Sequence, residues 1–261
     1  MTGRSRARDR SRPSGGAQAW TPWEQLGGQW FDGAGTTVGS PVSSWSASGS
    51  SAVAVQAMGA NQPAAPAVNA NLGGELALAF DGTDIVVSNT AVDLSAGWTL
   101  VSVVRIGTLR NWVGLARVST GEATGAAGAD GVVLYADVGG GLVIGSPDAS
   151  TWYRLVSGGT LASGKSYALI ATCSGTGASV ALERGEISGG SISWSTATLG
   201  PTVGTFAMPA ATGRYLQPGG GWSSAVARMV GDIAQQGAIG RVITALELSA
   251  LKSYLQARFA L

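Results

Sequence analysis

From residue 75 onward the chain is written in short apolar runs, each cut off by a glycine-bearing turn. "ELALAF", "WTLVSVVRI" (98–106), "NWVGLARV" (111–118), "GVVLYADV" (131–138), "TWYRLV", "KSYALIATC", "ASVALERG" and "SISWS" follow one another, and "AVARMVGDIAQQGAIGRVI" closes the series. Branched and aromatic residues fit a pleated, half-buried surface, and no helical pattern intervenes to make parallel crossovers. The expected fold is all-β, an antiparallel jelly-roll sandwich. The 41 glycines and the 12% share of charged residues agree with many tight turns around a large apolar core.

Local punctuation refines this picture. Asp81-Gly82, between "ELALAF" and "TDIVV", suits a tight hairpin because glycine tolerates positive φ. Residues 56–75, with Pro63 and Pro66, read as a surface loop. Thr244-Ala245-Leu246-Glu247 is a capping-box pattern, and Leu248, Leu251, Leu255 and Phe259 then recur on one helical face. A helix is therefore expected at about 244–259, lying on the sandwich with its apolar stripe inward. Residues 19–261 read as one domain.

The first 18 residues differ in kind. Arg4, Arg6, Arg8, Arg10 and Arg12 against Asp9 give this segment +4, while the remaining 11 basic and 14 acidic residues give −3. Such an arm has too little apolar surface to fold alone. It reads either as a solvated tail or as a docking arm whose alternate arginines meet carboxylates or phosphates of a partner. No secretory apolar core follows the basic start, so export by that route is not expected. Arg105, Arg110 and Arg117 interrupt the greasiest stretch, so no membrane span is expected, and the single Cys173 allows no internal disulfide.

"WSASGSS" after "QWFDG", the stretch "LALAFDGTDIVVS" leading to "GWTLVSVVRI", and the ending "GDIAQQGAIGRVITALELSALKSYLQARF" carry a likeness from Trp20 to Phe259. The chain resembles the concanavalin A-like, laminin-G-type jelly rolls found in bacterial surface proteins and phage virion proteins. The resemblance implies the fold more than a function, because such sandwiches serve as lectins, glycosidases and architectural modules. Glycosidases of that family use clustered carboxylates on one strand. The nearest such pair here is Glu183 and Glu186 in "LERGE", where Arg184-Gly185 suggests a hairpin tip and solvent-facing acids. Calcium sites in the family draw on loop oxygens. Asp130, Asp137 and Asp148 are candidates by type, but their spacing does not require a metal.

"GTLASGKS" (159–166) matches a phosphate-binding loop letter for letter, yet it leads into "YALIATC", a strand-like run. A phosphate loop needs a helix to begin at its Lys-Ser, so a hairpin turn is expected and nucleotide binding is not. With no histidine, Ser-His-Asp and Cys-His nucleophile systems are excluded. The nine tryptophans exceed what core filling asks for. Trp20, Trp30, Trp45, Trp98 and Trp194 are expected in the core or under loops. Trp112, the set Trp152, Tyr153 and Arg154, and the set Arg214, Tyr215 and Trp222 lie beside polar loops and are the candidates for stacking on sugar.

The expected function is a non-enzymatic structural protein of a phage virion, capsid-, tail- or fibre-associated. It would dock on other virion proteins through its arm and touch host-cell polysaccharide, without cofactor or metal. The alternative is a carbohydrate-binding lectin or glycoside-active enzyme of bacterial origin.

Overall fold

The computed structural model describes residues 20–110, 113–119, 131–145, 152–155, 160–174, 179–197, 199–202, 213–220 and 228–260. Their strands form two sheets in which every pairing is antiparallel. The larger sheet runs through Ser191–Thr196, Val180–Ser188, Ser166–Ser174, Gly97–Ile106, Val230–Ile239, Gln29–Asp32, Ser44–Ser48, Val53–Val55 and Val87–Ser88. Glu75–Asp81 adds to Val230–Ile239 and carries the short strand Ala67–Asn69 on its other side. The smaller sheet has six strands, in the order Leu199–Thr202, Trp152–Leu155, Leu142–Gly145, Val132–Ala136, Val113–Ser119 and Tyr215–Leu216.

Between the sheets lies the main core. Phe31, Trp45, Trp98, Leu100 and Val104 of the large sheet meet Leu115, Val118, Leu134 and Ile144 of the small one. A second core forms on the other side of the large sheet, where Trp30, Val101, Val103, Ala168, Ile170 and Ile187 receive the C-terminal helix Ala245–Phe259. This explains why Gly97–Ile106 is apolar at most positions on both of its faces: the strand is covered on both, and only Arg105 is partly exposed.

The helix starts as its residues require. The Thr244 hydroxyl accepts from the Glu247 backbone N–H at 3.2 Å, and the Glu247 carboxylate accepts from the Thr244 N–H at 2.7 Å. Leu251, Leu255 and Phe259 are fully buried beneath it, each contributing roughly 1.5–3 kcal/mol of burial. Arg258 forks onto Asp32 and Glu75, which ties the last helical turn to two strands.

Three local expectations are corrected. Asp81-Gly82 does not close a hairpin: Glu75–Asp81 pairs with Val230–Ile239, whereas Val87–Ser88 pairs with Val53–Val55, so the chain crosses from one strand position to another. Arg184-Gly185 is not a turn either, because Val180–Ser188 continues through it and the reversal falls at Gly189-Gly190, with φ of +57° and +78°. The stretch 56–75 is not all loop, since it holds two 3-10 turns and the edge strand Ala67–Asn69. Trp30, Trp45 and Trp98 are fully buried, and Trp20 and Trp194 pack half-buried around the helix. Burial pushes the Cys173 thiol up to about 12, so it acts as a core residue rather than a nucleophile.

Candidate functional site

Side chains alternate across a strand, and in the small sheet that alternation separates a core face from an outward face. Val132, Leu134 and Ala136 point into the main core, while Val133, Tyr135 and Val143 form a small buried cluster of their own on the outward side. Pairing register extends this face. Arg117 lies opposite Val133, which lies opposite Gly145, which lies opposite Trp152. Tyr135 lies opposite Val143, which lies opposite Arg154, and at the far edge Tyr215 lies opposite Ser119. Positions 117, 119, 133, 135, 143, 145, 152, 154 and 215 therefore share one side of the sheet.

A β-bulge shapes the middle of this face. Leu134 pairs with Ala116, but Tyr135 pairs with Gly114, so Leu115 is the extra residue, and both Leu115 and Ala116 turn into the core. Without the bulge, Leu115 would stand beside Tyr135 on the outward side. With it, Gly114 does, and Gly145 likewise stands beside Val133, so Tyr135 and Val133 each have one cross-strand neighbour without a side chain, while Val143 and Arg117 flank them on the other side. The bulge leaves the Leu115 carbonyl inside the core, where an unmet acceptor costs about 1–3 kcal/mol. Two large-sheet donors satisfy it: Ser102 Oγ at 2.8 Å and Gln236 Nε2. The far edge is fixed by Gln217, whose N–H donates to the Arg117 carbonyl at 2.8 Å and whose amide donates to Ser119 Oγ at 3.1 Å.

None of these nine positions carries a carboxylate. Among them Arg117, Ser119, Val133, Tyr135 and Val143 are buried and Tyr215 is half-buried. By residue type the positions combine aromatic and arginine residues, the chemistry of stacking and of charge-assisted hydrogen bonds to hydroxyls or acidic groups.

The expected site residues divide accordingly. Trp152, Arg154 and Tyr215 fall on the outward face, whereas Tyr153, opposite Ile144, takes a core-side position. Arg214 was expected at a loop edge but is fully buried, because its backbone is drawn in where its carbonyl accepts from the Val92 N–H at 2.7 Å. Trp112, Trp222 and the arm Arg4, Arg6, Arg8, Arg10 and Arg12 lie outside the described residues, as do Asp130 and Asp148. Asp137 caps a turn, its Oδ1 accepting from the N–H groups of Gly139 and Gly141 at 2.8 Å each.

Glu183 and Glu186 do not form a pair and do not point freely to water. They sit on opposite faces of one continuous strand. Glu183 holds Lys252 of the helix at 2.8 Å, and Glu186 holds Lys165 at 3.0 Å and Arg184 at 3.2 Å. Lys165 itself leads into the strand Ser166–Ser174 rather than into a helix. Among the described residues, no group of three or more acidic, Cys or His residues is arranged to hold a metal ion, and no helix is long and apolar enough to cross a membrane.

One acidic site escaped the sequence reading. At the corner "DGTD", Asp84 Oδ2 accepts from the Asp81 N–H at 2.7 Å, while Asp81 Oδ1 accepts from the Thr83 N–H and hydroxyl, both at 2.7 Å. Burial pushes the Asp84 carboxyl up to about 6, and the Thr83 hydrogen bonds hold Asp81 below its ordinary value. Arg228, also buried, donates to the Thr83 carbonyl. The corner borders a cleft of about 320 Å3, lined also by Pro41, Ala60, Gln62 and Phe80. Two acids with opposite shifts are the setting in which acid and base roles separate. The Asp-x-x-Asp spacing was the available signal, hidden by reading its first half as a hairpin.

No protein-family model matches the chain, and no curated protein does. Solved structures do match. A mutant GH54 α-L-arabinofuranosidase, soaked with 4-nitrophenyl α-L-arabinofuranoside, aligns over 89% of this chain and 59% of its own at 10% identity, with a TM-score of 0.61. The Trypanosoma rangeli sialidase in complex with sialic acid aligns over 86% of this chain at 16% identity, with a TM-score of 0.52. The likeness is one of fold. This chain spans about a third of the sialidase, 32% of its length. These neighbours nevertheless correct the expectation of a non-enzymatic protein: the sandwich seen here is one that glycoside-acting enzymes also contain, so the missing histidine and the unpaired Glu183 and Glu186 do not exclude such chemistry.

Proposed function

We propose that the chain is a carbohydrate-binding β-sandwich that holds its glycan on the outward face of the six-stranded sheet. The observation that carries this reading is the register. It brings Trp152, Arg154 and Tyr215, chosen from sequence as sugar contacts, onto one side with Arg117 and Tyr135. Aromatic rings at such positions stack on the C–H-rich faces of sugar rings, and guanidinium groups bond hydroxyls or the carboxylate of an acidic sugar. Binding of the full chain to immobilised neutral and sialylated glycans tests this. Trp152→Ala and Arg154→Ala are expected to weaken retention about tenfold or more with melting temperature nearly unchanged. Retention that survives both substitutions would remove the face from the reading.

A second reading, glycoside cleavage, is favoured by the Asp81 and Asp84 pair and by the glycosidases that share the fold. Asp84, half protonated near pH 6, is then the proton donor. Release of nitrophenol from 4-nitrophenyl glycosides, lost in Asp84→Asn, supports it; absence of release across neutral and acidic sugars counts against it. The virion setting and the docking of Arg4 to Arg12 on acidic neighbours are further proposals, motivated by the +4 charge of residues 1–18. Particle incorporation of a chain lacking those residues tests them, and undiminished incorporation would rule out an anchoring arm.

A further inference from the structure

The letters "GKS" mark a second place where the chain is built more elaborately than folding requires. Gly164, with φ of +80°, turns the chain; Lys165 follows, and Ser166 opens a strand paired with Ile187. Beyond Ile187 comes the Gly189-Gly190 reversal. The end of the C-terminal helix, Phe259 and Ala260, and the 3-10 turn at Ala70–Leu72 close in from the other sides. Together they enclose a hollow of about 200 Å3.

Its floor contains an unmet polar group. Ser166 is 2% exposed, and its Oγ is buried without a hydrogen-bond partner. Because Tyr167 points into the core between the sheets and Ala168 into the core beneath the helix, Ser166 shares the helix side, where the hollow lies. Ala168 and Ile170 on the same side of this strand are apolar, so packing does not explain a hydroxyl at 166. A buried hydroxyl without a partner is a cost that a bound ligand would relieve. Around it stand Asn71, Lys165 and Ser188 on the rim.

The charges define the ligand. Lys165 is already neutralised by Glu186 at 3.0 Å, so the rim offers no spare cation for an anionic guest. The hollow abuts the C-terminal end of a helix, where the last carbonyls lack helical partners and the dipole is negative, which further disfavours phosphate or carboxylate. None of the lining residues is acidic, so a metal ion would lack a charged ligand. Hydroxyl groups meet every requirement, donating to carbonyls and accepting from Ser, Asn and Lys. We infer that this hollow binds a neutral polyhydroxyl ligand of monosaccharide size. The site is separate from the outward face of the small sheet and stands whether or not that face binds glycan.

Amide and side-chain NMR of the full chain, titrated with D-galactose, D-glucose, L-arabinose, glycerol and inorganic phosphate, tests the inference. The expected result is saturable millimolar binding of at least one polyol, with shifts centred on Ser166, Ile187 and Gly190 rather than on Tyr135. Ser166→Ala is expected to fold normally and to weaken that binding about tenfold, while Ser166→Val, which fills the floor, abolishes it. The inference is overturned if no polyol shifts these residues, if Ser166→Ala binds as well as the parent chain, or if phosphate alone binds. Shifts confined to Tyr135 and its neighbours would likewise overturn this site while supporting the other.

Discussion

The two sheets carry very different residues on their outer sides. Behind the large sheet the chain supplies its own cover: Leu251, Leu255 and Phe259 fill the face, and the charges at its margin are matched within the molecule. Arg258 takes Asp32 and Glu75, Lys252 takes Glu183, and Arg241 takes Glu247. The outer side of the small sheet follows the same two-residue alternation, yet it combines two tyrosines, a tryptophan position and two arginine positions with no acidic residue among them. Alternation decides which residues leave the core. What the large sheet adds is a cover whose charges the chain's own carboxylates answer.

The sharpest way to break this contrast is at Arg258. Arg258→Ala strands the Asp32 carboxylate, only 3% exposed, and leaves Glu75 without its partner, so a loss of about 3–5 kcal/mol is expected in urea unfolding. A loss below about 1 kcal/mol would mean that the ion pairs do not close this face. Within the helix, Leu255→Ala is expected to cost about 2–5 kcal/mol, whereas Leu246→Ala, at a position 84% exposed, should stay within about 0.5 kcal/mol. Equal effects would show that the stripe does not face the sheet as described.

Beneath the other face, Ser102 and Gln236 share one task. Either Ser102→Ala or Gln236→Leu leaves a donor on the Leu115 carbonyl, but the double variant leaves none. A double-mutant cycle should therefore show coupling of about 1 kcal/mol, with weakened glycan retention in the double variant. Strict additivity would argue against a shared hold on the bulge.

The smallest effects are electrostatic and opposite in sign. The partners Arg241 and Thr244 hold Glu247 down to about 2 from 4.5, so its stabilisation is present above pH 4.5 and fades as pH falls towards 2. Asp84 is raised from 3.8 to about 6, so its contribution is present below pH 3.8 and fades as pH rises through 6. Melting curves across pH should lose the acid-side slope in Glu247→Gln and the slope between pH 4 and 6 in Asp84→Asn. A slope unchanged by its own substitution would show that the group is not perturbed in this way.

Features written in adjacent residues were legible from sequence, and features made by distant ones were not. The capping box and leucine stripe lie within one helix, and both appear as read. The reversal placed at Arg184-Gly185 failed because glycine there answers a different need. A Cβ on Gly185 would meet Ile192 at 2.4 Å and Trp194 at 3.0 Å, so the residue is bare to let its neighbours pack across it. Similarly, choosing Trp152, Tyr153 and Arg154 as a set treated three consecutive residues as one surface. Strand alternation alone turns the middle residue to the other side, and the pairing with Leu142–Gly145, fixed by the whole sheet, decides which side that is. The bulge at Leu115 depends on donors more than 100 residues away in one case and 13 in the other, and no local pattern announces it.

Trp20, the first described residue, packs 5.8 Å from Tyr254, little more than one helical turn before Phe259. Entrance and exit of the fold are thus neighbours, held together by a shared aromatic clasp. A body attached at a single point can hang from a surface loop of a larger polypeptide without being pulled open, and can swing as a unit to meet whatever it grips.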